Sequence, residues 1–353
     1  MVCPPALDRC ASDSCPPGRQ GFLPEKTVTT IDRRRYSIRP IIERVNKYPF
    51  NLAHVFYDNA PFYKRAMIDA TRLTVLQVSQ TDLFQHVLND AVLGSSIYVN
   101  IGVAGLTLLL FAFLARDVED PRSQLIIVSA MFVSAVSIVS YSGLASGLTI
   151  SILEMPDGHA LEGATTTLSH NGETVEGTIS LWGRYLTWAF STPFILLALG
   201  LIAGSNVTKI FTAIIFDAGI MITGLAAALT TSSHLMRWFW YAISCAFFLV
   251  VVYILLVEWP EDAKAAGTAD IFSTLKLLTV VLWFGYTIWW ALGNEGAGVI
   301  TSSGITSWGY SAFDLVAKYL FSFLVINYVV NNVDTVSGGA EYGSTSDAIP
   351  ADD

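Results

Sequence analysis

The chain has 353 residues, 53% of them hydrophobic and only 14% charged, with a net charge of -9. That balance excludes an ordinary soluble enzyme and indicates a polytopic membrane protein, and so acidic a chain excludes nucleic acid as a partner. The charge is uneven: residues 1–66 carry eleven Lys/Arg against six Asp/Glu, whereas residues 67–353 carry nine against twenty-three. An acidic surface of this kind suits a high-salt environment.

Residues 1–66 read as a basic leader, with Arg33, Arg34 and Arg35 in a row, several prolines and no sustained periodicity. They lack the apolar stretch of a secretory signal. The composition shift at Met67 leaves two readings open: an upstream extension ahead of a start at Met67, or a disordered or cleaved leader. Residues 67–91 then lead to the membrane. Phe84, Val87 and Leu88 have helical spacing, which predicts a short helix on the membrane surface within Ala70–Asp90. Cys3, Cys10 and Cys15 lie in the leader and Cys245 in an apolar run. No C-x-x-C pair exists, so neither a metal site nor a disulfide framework is expected, and Cys245 reads as a small core residue.

Seven apolar spans follow, near Val92–Leu114, Leu125–Ile150, Leu181–Ala203, Ile210–Leu229, Trp238–Val257, Ile271–Leu292 and Ser307–Val330. Each is long enough to cross a bilayer, which takes roughly 20 residues. The expected fold is an all-α membrane protein, a seven-transmembrane-helix bundle occupying residues 92–330. The one long connection, Ser151–Ser180, carries Asn171-Gly172 between alternating runs. That pattern predicts a β-hairpin on one membrane face. Gly143 and Gly147 have the spacing of close helix packing. Arg116, Arg122, Lys209 and Lys264 fall on the connections of the opposite face. Positive charge favours the cytoplasm, so the hairpin lies outside, the N-terminus outside and the C-terminus inside. Residues 331–353 read as a disordered tail.

Few ionisable groups lie inside the spans: Arg184, Asp217, Lys276, Asp314 and Lys318. Asp314 and Lys318 stand four apart and share a helix face. Charges at that depth are costly, about 2.5–3.5 kcal/mol each on insertion scales. The pair reads as a structural ion pair or as a reactive lysine with its counterion, because a desolvated amine forms Schiff bases with carbonyl compounds. In the third span Arg184, Thr187, Trp188 and Ser191 fall on one stripe. For Arg184 alone, snorkelling to the interface is the competing reading, and for Thr187 and Ser191 a bond back to their own helix. Asn206-Val207-Thr208 matches a glycosylation sequon, but on the cytoplasmic face.

These elements together resemble the microbial retinal-binding rhodopsins. The likeness rests on Asp314-x-x-x-Lys318, on Arg184-Tyr185-x-Thr187-Trp188-x-x-Ser191-Thr192-Pro193, on Trp283-x-x-Tyr286-x-x-x-Trp290, and on Asp217, Thr223-Gly224-Leu225 and the run Arg237 to Ser244. It covers roughly Asp82 to Asn331. Within the family the chain is similar to the halorhodopsins, inward chloride pumps of haloarchaea. Proton pumps of the family carry carboxylates where this chain has Thr187 and Ala198. Pro156, Gly158, His159 and Lys276 also fit the halide-pump pattern.

The resemblance implies a light-driven ion transporter in the plasma membrane, not an enzyme. It implies all-trans retinal held as a protonated Schiff base on Lys318, with Trp188, Trp283, Tyr286, Tyr241, Trp240 and Asp314 around it. Chloride or another halide is expected at Arg184, Thr187 and Ser191, with Lys276 on the exit path. The local charges sum to about +1 without a carboxylate on the third span, and a halide supplies the missing negative charge. Asp217 is expected to bond Thr192 in a structural role. A homotrimer and a carotenoid are the partners the family suggests. One departure stands out: Thr287 occupies a sixth-span position where the family usually has proline. A light-gated anion channel or a sensory photoreceptor on the same scaffold is the alternative reading.

Overall fold

The computed structural model describes residues 78–162, 166–170 and 173–338. The leader, the Asn171-Gly172 turn and the tail after 338 lie outside the described residues. Among the described residues, seven helices are long and apolar enough to cross a membrane: Ala91–Leu114, Pro121–Ala145, Gly183–Ile202, Val207–Leu229, His234–Ala265, Ala269–Leu292 and Ser303–Asn331. The chain is a multi-pass membrane protein.

Local chemistry sets several span starts. Asp90 accepts from the backbone N–H of Val92 and Leu93 at the first span. Asp120 caps the second, with Pro121 at its first turn. Asn206 caps the fourth by accepting from Lys209 N–H, which explains the asparagine of the sequon-like triplet. The second span ends earlier than expected, at Ala145. Gly147, at φ +73°, turns the chain there, and a side chain on it would collide with the backbone of Gln80 and Phe84, so it marks both a helix end and a close approach of residues 80–84. The fifth span runs longer, through a π-helical turn at Ile254–Glu258. Pro260 follows directly; its ring clashes with the carbonyl four residues back and it has no N–H to donate, which accounts for the wider turn. The seventh span contains a second π turn, Leu315–Leu320, centred on Lys318. Past it, Val333–Gly338 is a short helix, so the first part of the tail is ordered.

The long connection holds three strands where the pattern predicts two. β1 (Ser151–Leu153), β2 (Thr166–His170) and β3 (Glu173–Ser180) form an antiparallel sheet of order β1-β3-β2. Leu168 pairs with Val175 and Ile152 with Ile179. A side chain at Gly177 would collide with Ile152 and Leu153, so glycine is what lets β1 approach. The surface helix, Gln80–Asn89, closes a capping box at Ser79 and Asp82. It buries Leu83 and Val87, whereas Phe84 and Leu88 are exposed, a one-residue rotation of the expected face.

At the other end, the spans are tied by polar contacts. Lys209 Nζ lies 2.9 Å from Asp262. Arg122 donates to Leu201 O at 2.8 Å and Thr268 to Ile202 O at 2.7 Å. This places Arg122, Lys209 and the Asp262 turn on one end of the bundle, as the loop charges predict.

Candidate functional site

Lys318 is 2% exposed, and its Nζ lies 2.9 Å from Asp314 Oδ1 without hydrogen-bond alignment. Asp314 is anchored from two other spans. Tyr141 OH donates to its Oδ2 at 2.5 Å and Tyr286 OH to its Oδ1 at 2.5 Å. Short hydroxyl–carboxylate bonds of this kind are strong and fix the acceptor in place.

Arg184 is 3% exposed, which rules out snorkelling. Its Nη1 donates to Tyr141 OH at 3.1 Å and its Nη2 to Ser307 Oγ at 2.5 Å. Ser96 Oγ meets Ser307 Oγ from the first span. Arg184 Nε and Ser191 Oγ are buried with no hydrogen-bond partner among the described residues. Thr187 Oγ1 bonds back to Gly183 O at 3.1 Å. Of the three residues expected at the halide, two thus hold a free donor and the third must turn its hydroxyl to offer one. Thr192 Oγ1 donates to Asp217 Oδ2 at 2.6 Å, the expected contact.

A cavity runs among the third to seventh spans and reaches Lys318. Its walls include Trp188, Trp283, Tyr286 and Tyr241. Trp188 meets Tyr286 edge to face at 5.7 Å. Tyr241 stacks on Trp290 at 4.9 Å. A largely apolar chamber rich in aromatic side chains, with an unaligned buried amine at its edge, fits an apolar polyene tethered at one end. Two expectations change. Trp240 does not line the cavity and instead packs on Phe239. Cys245 does line it, and is half-buried rather than a core residue. Thr287 sits in an unbroken helix, bonding back to Trp283 O at 2.9 Å and accepting from Tyr241 OH on its own carbonyl. Lys276 lies away from the cavity, 6.0 Å from the Phe272 ring centre. Among the described residues, no cluster of three or more His, Cys, Asp or Glu could hold a metal.

Sequence reasoning missed the layer that covers this site. Glu295, in the connection after the sixth span, accepts from Ser180 Oγ at 2.6 Å and Tyr185 OH at 3.2 Å. Its backbone carbonyl accepts from Arg237 at 2.6 Å. Asn294 donates to Ile179 O, which pins the loop to β3. Burial pushes the Glu295 carboxyl above its ordinary range, against the opposing pull of Ser180 and Arg237. Nothing in the pattern signals Glu295, because its loop has neither periodicity nor a motif. Tyr141, Ser96 and Ser307 carry no charge and read as ordinary span residues.

The chain matches the bacteriorhodopsin-like protein family over residues 91–332. It is 64% identical over 277 residues to halorhodopsin of Natronomonas pharaonis, covering 78% of this chain and 94% of that protein. It is 55% identical over 283 residues to halorhodopsin of Haloarcula marismortui, covering 80% and 98%. A solved structure described as halorhodopsin, a light-driven chloride pump, superposes with a TM-score of 0.65 at 50% identity, covering 70% of this chain and 99% of that one.

Proposed function

This chain belongs to the bacteriorhodopsin-like family, and on that premise we propose that it is a light-driven inward chloride pump whose retinal is bound on Lys318 as a protonated Schiff base. It is a transporter and not an enzyme. When bound, retinal supplies light absorption and a cationic N–H whose direction changes on isomerisation. The residues supply the rest. Asp314, held by Tyr141 and Tyr286, balances one positive charge at Lys318. Arg184 adds a second, so the buried set is one negative charge short. Isolated buried charges are expensive, and Thr187 cannot ionise to supply the difference.

A chloride between Arg184, Ser191 and Thr187 supplies it. The observation that carries this reading is the pair of buried donors without acceptors, Arg184 Nε and Ser191 Oγ, on a span whose buried face has no carboxylate. Hydroxyls donate to an anion but do not take up a proton as a carboxylate would. The proton therefore stays at Lys318 and the anion is what moves, with Lys276 as the attractor on its exit. The reading includes a homotrimer in the plasma membrane, N-terminus outside, with an optional carotenoid. The relatives' names support the chloride assignment.

The test is illumination of vesicles holding the purified protein at zero chloride gradient. Light-dependent chloride uptake towards the C-terminal side is expected. Its absence in a pigmented sample overturns the pump and favours a channel or a sensor.

A further inference from the structure

Lys318 sits on the one turn of the seventh span that is not α-helical. Over Leu315–Leu320 the backbone is a π turn, and Phe321 N–H reaches back five residues to Val316 O. Such a turn holds one residue more than an α-helix does, and π turns are frequent at functional sites. It is also the place where a helix can slip. Passing the extra residue along rotates each side chain it passes by about 100°.

The back of this turn is fastened to the first span on both sides of the Asp314–Lys318 pair. Before the pair, Ser311 Oγ donates to Ser96 O at 3.1 Å. After it, Tyr319 OH shares its proton between Asn100 Oδ1 at 3.3 Å and Asn100 O at 3.4 Å. Ser96 and Asn100 are four residues apart, on one face of the first span. Asn100 Nδ2 closes the set by donating to Ser96 O at 3.0 Å. Ser137 of the second span contacts the same tyrosine hydroxyl. Ser96, Asn100, Ser311 and Tyr319 are all buried.

A buried amide is costly, and simple packing does not require one, since leucine fills much the same space. Asn100 has both ends of its amide engaged, one on its own helix and one on the turn that carries Lys318. The bonds from Tyr319 are long, so their weight lies in direction more than in strength. A one-residue slide of the π turn would swing Tyr319 off Asn100 and break both at once. On the front of the turn, Lys318 Nζ has no aligned partner and the side chain ends at the cavity.

We propose that Asn100 is a positioning residue for light-driven transport. Acting through Tyr319, it keeps the π turn in register, so that a change of shape in the group carried by Lys318 moves Nζ and is not lost to a slide of the backbone. The inference rests on the reading of Lys318 as the attachment point and of the chain as a pump. Asn100 itself belongs neither to the chloride donors nor to the cavity wall.

The test compares Asn100→Leu and Tyr319→Phe with the unaltered chain in lipid, without and with retinal. Without retinal, backbone amide hydrogen exchange is followed by mass spectrometry. Exchange at residues 316–321 should rise by about three- to tenfold in each variant, the range one cross-span bond is worth in a membrane. The double variant should rise no further, because both changes break the same contact. Unchanged exchange there, or an equal rise in all spans, overturns the proposal. With retinal, light-driven chloride flux per absorbed photon should fall in both variants, while the chloride titration of the dark spectrum and the half-saturating chloride stay in place. Full flux with loosened exchange makes the contact purely structural and overturns the positioning role. A moved titration also overturns it, by placing Asn100 at the chloride. Tyr319→Phe keeps the ring and its packing, so it decides the matter if Asn100→Leu does not fold. An unaltered chain that is pigmented but carries no flux marks failure of the pump reading, and the positioning role falls with it.

Discussion

Between Lys318 and the three-stranded sheet, buried polar groups bond across elements: Arg184 to Tyr141 and Ser307 and Ser307 to Ser96 between spans, and Ser180 of β3 to Glu295 of a connection. Between Lys318 and the Lys209–Asp262 pair, the core is built from Phe111, Ile195, Leu199, Trp259, Phe272 and Val325. Hydroxyls do occur in that half, and Ser322 reaches across to Ala130 O at 3.2 Å, but Ser129 and Thr279 fold back on their own helices, to Leu125 O and Leu275 O. The difference teaches where an ion can rest. A half with cross-span donors can replace a hydration shell, whereas an apolar half raises a barrier that an ion crosses only when driven.

The contrast can be broken at its centre. Lys318→Ala should abolish the visible absorption band and all light-driven flux; a band that survives sinks the chromophore assignment. Thr187→Asp puts a carboxylate where the chloride would sit. Halide dependence of the absorption should vanish, a loss of roughly 100-fold to several thousand-fold in apparent affinity, since an unbalanced buried charge costs about 3–5 kcal/mol. An unchanged chloride titration would count against the Arg184–Ser191 site.

The covering layer of the polar half offers a smaller effect. Burial raises the Glu295 carboxyl, so the folded state holds its proton more tightly than the unfolded chain does. That contribution to stability is fully present below the ordinary carboxylate range and is lost as pH rises through the raised value. Thermal midpoints should therefore fall with rising pH across that window, and Glu295→Gln should flatten the fall. Parallel curves for the two proteins would refute the claim. Smallest is Thr192→Val, which removes the bond to Asp217 Oδ2 and should cost about 1–2 kcal/mol, read as a lower unfolding midpoint with little change of colour.

Composition and hydropathy alone determined the number of spans, the membrane class and the pair Asp314 and Lys318, because apolar length and the rarity of buried charge are properties of a linear segment. The stripe Arg184, Thr187, Ser191 was legible for the same reason, since one helical period puts those residues on one face. Trp240 falls outside the cavity although Tyr241 beside it lines the wall, because successive residues on a helix are turned to different faces. Only the tertiary structure decided that Tyr141 and Tyr286 hold Asp314, that Glu295 reaches Ser180, and that His159 meets His234. Each of those contacts joins different elements, mostly far apart along the chain, and no local period encodes which faces the packing of seven helices brings together.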